Sequence, residues 1–475
     1  MLLFVEAERR TGKRLVEGFR AAAVFVLFVS TGVAAFADER PELKSQRWQE
    51  DWRAFCDASQ RIEPLDRLKC IKLGAPGLTL SLGGELRERF DTIWNPTFGF
   101  DGIGNEHVWL TRMLVHGDLR YRETARVFVQ LGSHYASDRA FGNPPTDRND
   151  IDLQQIFADL STKLDDSTRL TLRGGRQEIS LGSSRLVSVR ESPNVRRSFD
   201  GARAFAVGQG FRLDAISVQP VELEEGAFDD RTDQSVSLRG VYGTLTGRLP
   251  KGQMLDIYYL GYERKDASFA AGTADEERHS FGTRYAGKAR AFDWDVEAVL
   301  QTGSFGAQDI RAWTIASDIG YSFSDYAWQP RLGLKANIAS GDGDVSDGKL
   351  ETFNAMFPKL PYFTEANLIA PANFMDVHPT VSFSPLKDLE VTFGWDVLWK
   401  QQSNDAFYAT PLVPVDGTAG SGKFIGHQTS VDLAYSLTPN ISLAGSYVHF
   451  WAGDGLREAG GRDGDYVGAW SSFRF

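Results

Sequence analysis

Only two cysteines, five methionines and seven histidines occur in the 475 residues. No Cys/His array of zinc-ligand spacing can be built from so few. Beyond residue 37, no apolar run approaches the ~18 residues that would read as a membrane-spanning helix. Neither G-x-S-x-G nor H-E-x-x-H occurs, so no catalytic constellation stands out, and an enzyme is not expected. Basic tracts are missing and the formal net charge is -11, which argues against a nucleic-acid partner. Disorder is excluded by the composition, which is 42% hydrophobic. No cofactor is implied.

What is present begins with a secretory signal. Arg9, Arg10, Lys13, Arg14 and Arg20 form a basic region, Ala21 to Val29 an apolar one, and Ala35-Phe36-Ala37 a small-residue cleavage site. Residues 1–37 read as a signal peptide, so the mature chain begins at Asp38. The two cysteines, Cys56 and Cys70, then reach an oxidising compartment, where so close a pair is expected to form a disulfide. They fall in residues 38–77, where Trp48, Trp52 and Phe55 recur at helical spacing. That stretch is expected to be a short periplasmic segment stapled by the disulfide.

From Leu78 onward the texture changes. In "LTLSLGGELRERF", Leu78, Leu80, Leu82, Leu86 and Phe90 share one face, while Thr79, Ser81, Glu85, Arg87 and Arg89 share the other. About eighteen segments alternate in this way, which is the period of a strand. Short turns such as "RYRET", "LDDST", "VGQGF" and "SPLKD" alternate with long polar stretches near 92–106, 136–149, 177–199, 220–234, 264–277, 341–373, 401–423 and 453–463. One rim of tight turns and one of long loops is the signature of an outer-membrane barrel. In lipid every backbone polar group must be paired internally, so strands cross only as a closed barrel. The expected fold for 78–475 is all-β: a transmembrane antiparallel barrel of about eighteen strands with an aqueous lumen. Its lipid-facing surface meets the bacterial outer membrane.

The stretch "DYVGAWSSFRF" at the end of the sequence reads as a strand, expected to run to Phe475 and to pair with the first. Trp94, Trp109, Trp328, Trp395, Trp399, Trp451 and Trp470 lie near strand ends, as interfacial girdles require. Charge patterning gives the lumen its expected chemistry. Arg87 and Arg89 lie on the polar face of the first strand, and Lys335 and Lys400 lie opposite apolar faces of later ones. Arg173 and Arg176 follow in "RLTLRGGRQE", with a bulge at Gly174-Gly175 needed to turn Arg176 inward. Arg185, Arg190, Arg196, Arg197 and Arg203 crowd one stretch. Arg87, Arg89, Arg176, Arg203, Lys335 and Lys400 are the expected lumen cations, suited to carboxylate-bearing solutes. Asp342, Asp344 and Asp347 in the long loop lack the pattern and flanking helices of a calcium hand.

At "LKCIKLGAPGLTLSLGGELRERFD", "LRGGRQEISLGSSRLVS", "FDGAR" and "GKLETFNAMFPKLPYFTEANL" the chain resembles the bacterial alginate export family. The resemblance runs from about Asp66 and implies an outer-membrane barrel whose electropositive lumen passes an anionic polyuronate. Arg87 and Arg89 match its GGELRER strand and Arg176 its GRQ turn. A terminal Phe also resembles the signal read by the outer-membrane assembly machinery, the expected assembly partner. Three functions stay open: a channel for anionic oligo- or polysaccharide, a nutrient porin for small organic or aromatic anions, or a loop-borne enzyme or adhesin.

Overall fold

The structure, a computed structural model, describes residues 40–139 and 142–475. The expected signal peptide at 1–37 and the start at Asp38 lie outside the described residues. Eighteen long strands form the wall. They are β1 Leu78–Trp94, β2 Asn105–Tyr121, β3 Ala125–Ala136, β4 Asn149–Lys163, β5 Arg169–Gln177 and β6 Phe199–Gly208. Next come β7 Phe211–Glu222, β8 Val236–Leu245, β9 Gln253–Phe269, β10 Gly272–Ala289, β11 Phe292–Phe305 and β12 Gln308–Ser322. The last are β13 Arg331–Ala339, β14 Phe374–Leu386, β15 Leu389–Trp399, β16 Phe424–Ser436, β17 Ile441–Ala452 and β18 Gly464–Arg474.

Each strand pairs antiparallel with the next, and β18 returns to β1, with Arg87 opposite Ser472. Closure leaves no edge with unpaired backbone groups. Among the described residues no helix is long and apolar enough to cross a membrane. Alternation sorts the faces. Leu86, Met113, Val115, Leu172, Leu213, Ile257, Leu300 and Ile315 are exposed on the outside. Glu85, Arg87, Arg89, Arg112 and Gln130 are buried on the inside. Trp109, Trp328, Trp395 and Trp451 are exposed. Trp470 instead pairs with Arg89 on the inward face, beneath its guanidinium at 4.7 Å.

The stretch at 264–277 is not a loop. β9 runs on to Phe269 and β10 starts at Gly272, with a register shift between Arg264 and Ala267. Polar residues here extend the ladder past the apolar band, because paired strands satisfy their own backbone wherever water begins. The neighbouring connection on the same rim, between Phe305 and Gln308, is equally tight.

The lumen is far from empty. Residues 178–198 and 340–373 fold inward from the long-loop rim. Ile179, Leu181, Leu186, Val187, Phe353 and Phe357 pack into one apolar cluster with Phe199, Val218, Leu238 and Leu260. Burial on this scale fixes the loops to the inner wall.

Residues 40–72 correct a second expectation. In place of one amphipathic helix stand short 3-10 turns at Arg47–Gln49, Arg53–Cys56, Ala58–Gln60 and Pro64–Leu68. The segment sits within the tight-turn mouth. Arg47 donates to the carbonyls of Gly84 (2.7 Å) and Phe475 (2.6 Å), and Lys69 to that of Leu82 (2.7 Å). Trp48 packs edge-on against Phe157 of β4 and under Arg173 of β5. These contacts override helix propensity. Cys56 and Cys70 are disulfide-bonded, with Cα atoms 4.9 Å apart.

Candidate functional site: a cationic lumen beneath inward-folded loops

Three of the six expected lumen cations, Arg87, Arg89 and Lys400, serve the architecture. Arg87 is 3% exposed and donates to the carbonyls of Glu191 (2.9 Å), Ser192 and Pro193 (both 3.3 Å). It anchors the 178–198 loop. Arg89 is held by Asp91 at 2.8 Å and Glu365 at 3.2 Å, and donates to the hydroxyl of Tyr466. Lys400 lies just past β15 with its ammonium among the carbonyls of Ser403, Asp405 and Thr418 and the hydroxyl of Ser421. It closes the 400–423 loop. Arg203 faces inward but pairs with Asp214 at 2.6 Å.

Arg176 is displaced further. The register of β5 runs without a bulge through Arg176, opposite Ile156 on one side and Asp200 on the other. Alternation from the buried, inward Arg173 therefore leaves Arg176 on the outer face. There it pairs with Asp200 at 2.9 Å and donates to the carbonyl of Asp230 in the 223–235 loop. Gly175 instead serves the close approach of β4. Its φ is +124°, and a Cβ would lie 2.2 Å from the carbonyl oxygen of Ile156.

Lys335 does face the lumen, and among the described residues no ion pair involves it. The same holds for Arg190 and Arg197 of the inward loop, and for Lys359 of the second loop. Arg197 donates its backbone NH to Val189 and lies 4.9 Å over the ring of Phe357. Lys359 joins the two loops, its backbone NH bonding to Ser184. Burial, with Arg185 and Lys335 nearby, pushes its ammonium down to about 8. Arg190 and Arg197 belong to the arginine-rich stretch but were not among the six expected residues, and Lys359 lies in the stretch "GKLETFNAMFPKLPYFTEANL" without having been among them.

A second cationic region lies at the tight-turn mouth, a cleft of about 620 Å³ between residues 44–53 and the inner wall. Nine basic side chains line it: Lys44, Arg53, Arg120, Arg122, Arg126, Arg169, Arg173, Arg203 and Arg212. Glu50, Asp51, Glu123, Asp159 and Asp214 are the five acidic ones, leaving an excess of four positive charges. In a chain of net charge -11, that excess is local and directed inward.

Asp342, Asp344 and Asp347 do not converge. Asp342 accepts from the Asp344 NH, Asp344 from Ser346, and Asp347 pairs with Lys349.

A family model described as alginate export matches residues 78–470. The chain belongs to the alginate export family. Among curated proteins, none matches it. Solved structures with a similar fold are porins of Pseudomonas aeruginosa. OpdQ aligns with a TM-score of 0.56 at 14% identity, covering 83% of this chain and 98% of that one. OccK8 (OprE) aligns at 0.54 and 11%, with coverage of 83% and 98%. OccK2 (OpdF), whose structure is a complex with glucuronate, aligns at 0.54 and 10%, with coverage of 83% and 96%. The alginate export family member thus has the β-barrel fold of outer-membrane porins, and its family and structural neighbours are export channels and porins. The arginines that match the family motifs, Arg87, Arg89 and Arg176, hold loops and strands together in this barrel. The lumen cations without an ion pair among the described residues stand elsewhere.

Proposed function

We propose that this protein is a passive outer-membrane channel for anionic saccharides, of the polyuronate class that the family description names. The observation that carries the reading is the set Arg190, Arg197, Lys335 and Lys359: lumen cations that, among the described residues, have no carboxylate partner. A guanidinium binds carboxylate through two parallel hydrogen bonds, so Arg190 and Arg197 suit a uronate. A pore charge in water is worth about 1 kcal/mol at contact, and low-dielectric walls raise this several-fold. The basic cleft at the other mouth would take up the same solute in sequence.

Inward loops that narrow the lumen favour a second reading, uptake of small organic anions. Planar-bilayer recordings separate the two. Reversal potentials under a salt gradient should show anion preference, reduced in an Arg190→Ser/Arg197→Ser variant. Block by uronate oligomers at lower concentration than by monomers supports the saccharide channel; equal block supports the small-anion porin. A wild-type pore that prefers cations would remove both.

A further inference from the structure

On the opposite side of the lumen from the arginine-rich loop, β14 and β15 bring Asp376, His378 and Asp396 together. One oxygen of each carboxylate and one ring nitrogen of His378 all lie within 4.8 Å of one another. The three side chains are 3%, 4% and 0% exposed. We propose that they bind a divalent first-row transition cation of the Zn²⁺ or Mn²⁺ class.

Three observations carry this beyond a cluster of acids. The first is an orphan: Oδ1 of Asp396 is sealed from solvent and has no hydrogen-bond partner. Such an atom calls for a ligand. The second is the supporting shell. Gln428 donates to Asp396 Oδ2 at 2.9 Å, and Asn337 donates to both oxygens of Asp376 at 2.8 and 3.1 Å. Amides that orient carboxylates in this way are what metal ligands require. The third is the room made for the imidazole. A Cβ on Gly394 would lie 2.5 Å from Nε2 of His378, so only glycine there leaves the ring its place beside Asp396.

Two buried carboxylates this close cannot both stay ionised without a cation or a shared proton between them. Lys335, opposite His378 on β13, forms no ion pair with either among the described residues. The single imidazole selects the cation: nitrogen ligands suit Zn²⁺ and its neighbours, whereas Ca²⁺ and Mg²⁺ take oxygen alone. Thr364 of the second loop closes over the site through its hydroxyl, which donates to Gln428 at 3.0 Å. The cation would therefore pin this part of the 340–373 loop to the wall.

The test uses the full-length barrel, folded in detergent, stripped with EDTA and dialysed. Titration calorimetry and elemental analysis with Zn²⁺, Mn²⁺ and Ca²⁺ read binding without any measurement of flux, so the result is independent of the transport reading. About one equivalent of Zn²⁺ or Mn²⁺ per chain is expected, weakened tenfold or more in His378→Gln and Asp396→Asn. The milder Gln428→Leu should weaken it by a smaller factor and keeps the test alive should the ligand variants fail to fold. Co²⁺ loaded in place of Zn²⁺ should give a visible absorption band that His378→Gln alters. No uptake, uptake unchanged by His378→Gln, or preference for Ca²⁺ would each overturn the proposal; the first would mean that the two carboxylates share a proton instead.

Discussion

The guanidinium of Arg47 donates to the carbonyl of Phe475, 2.6 Å away and 428 residues along the chain. Its other amino group donates to Gly84, so one side chain spans the seam where β18 meets β1. Arg47 also pairs with the buried Glu50 at 2.5 Å. Arg47→Met should strand Glu50 without a counter-charge, at a cost of about 3–5 kcal/mol. The expected outcome is a lower unfolding temperature in detergent and a larger single-channel conductance, with Glu50→Gln added in the same chain restoring part of the stability. An unchanged melting temperature would detach the N-terminal segment from the seam.

Removing Phe475 should impair assembly. Its backbone NH and carbonyl both pair with Gly84, and unpaired groups in lipid cost several kcal/mol each. The variant should reach the outer membrane at a small fraction of the normal level as a heat-modifiable barrel. Normal levels would show that the last residue is dispensable for closure.

Arg87→Met should act on the loop rather than on selectivity. Three carbonyls of residues 191–193 lose one donor each, and those of Glu191 and Pro193 keep Arg112. Noisier single-channel currents are expected, with a reversal potential close to wild type. A reversal potential that moves as far as in Arg190→Ser/Arg197→Ser would return Arg87 to the conducting surface.

The disulfide should guard the N-terminal segment alone. A cross-link closing a loop of this size contributes roughly 3 kcal/mol by the chain-entropy model. Cys56→Ser/Cys70→Ser should expose residues 40–72 to protease while the barrel stays heat-modifiable. Peptide mapping without reductant should recover the two cysteines linked.

Anion preference should fall as pH rises through about 8, where Lys359 loses its proton. The stability change has the opposite direction. The folded value lies below the usual 10.5, so between about pH 8 and 10.5 the unfolded chain holds a proton that the folded one has released. Stability therefore rises with pH across that window. Lys359→Met should flatten the pH step in reversal potential, whereas Lys335→Met should lower preference at every pH and leave the step. A step that survives Lys359→Met would assign it to another group.

The wall was legible because its code is local. Leu86 and Phe90 against Arg87 and Arg89 fix faces from one strand's own residues, and the tight turns "RYRET", "LDDST", "VGQGF" and "SPLKD" fall at the connections that the structure shows. The contents of the lumen were less so. Whether Arg87 meets water or the carbonyl of Glu191 depends on a loop about a hundred residues away, which no period reports. Trp48, Trp52 and Phe55 have helical spacing, yet Trp48 is claimed by Phe157 and Arg173 of the wall. Arg176 shows the reverse: plain alternation placed it outward, and the structure follows the alternation. Asp376 and His378 share a face of one strand by alternation, but Asp396, on the neighbouring strand, meets them only through the register of the sheet.

Ser45 meets the arginine-rich loop between the two mouths. Its hydroxyl donates to Glu191 at 2.8 Å, and its carbonyl accepts from Arg196 at 2.7 Å. Arg196 in turn pairs with the buried Glu178 at 3.1 Å. The segment entering from one mouth and the loop entering from the other are thus latched to each other as well as to the wall. Moving either one takes a donor or an acceptor from its opposite number. The barrel's two doors are hung on a shared hinge pin, and neither swings without the other.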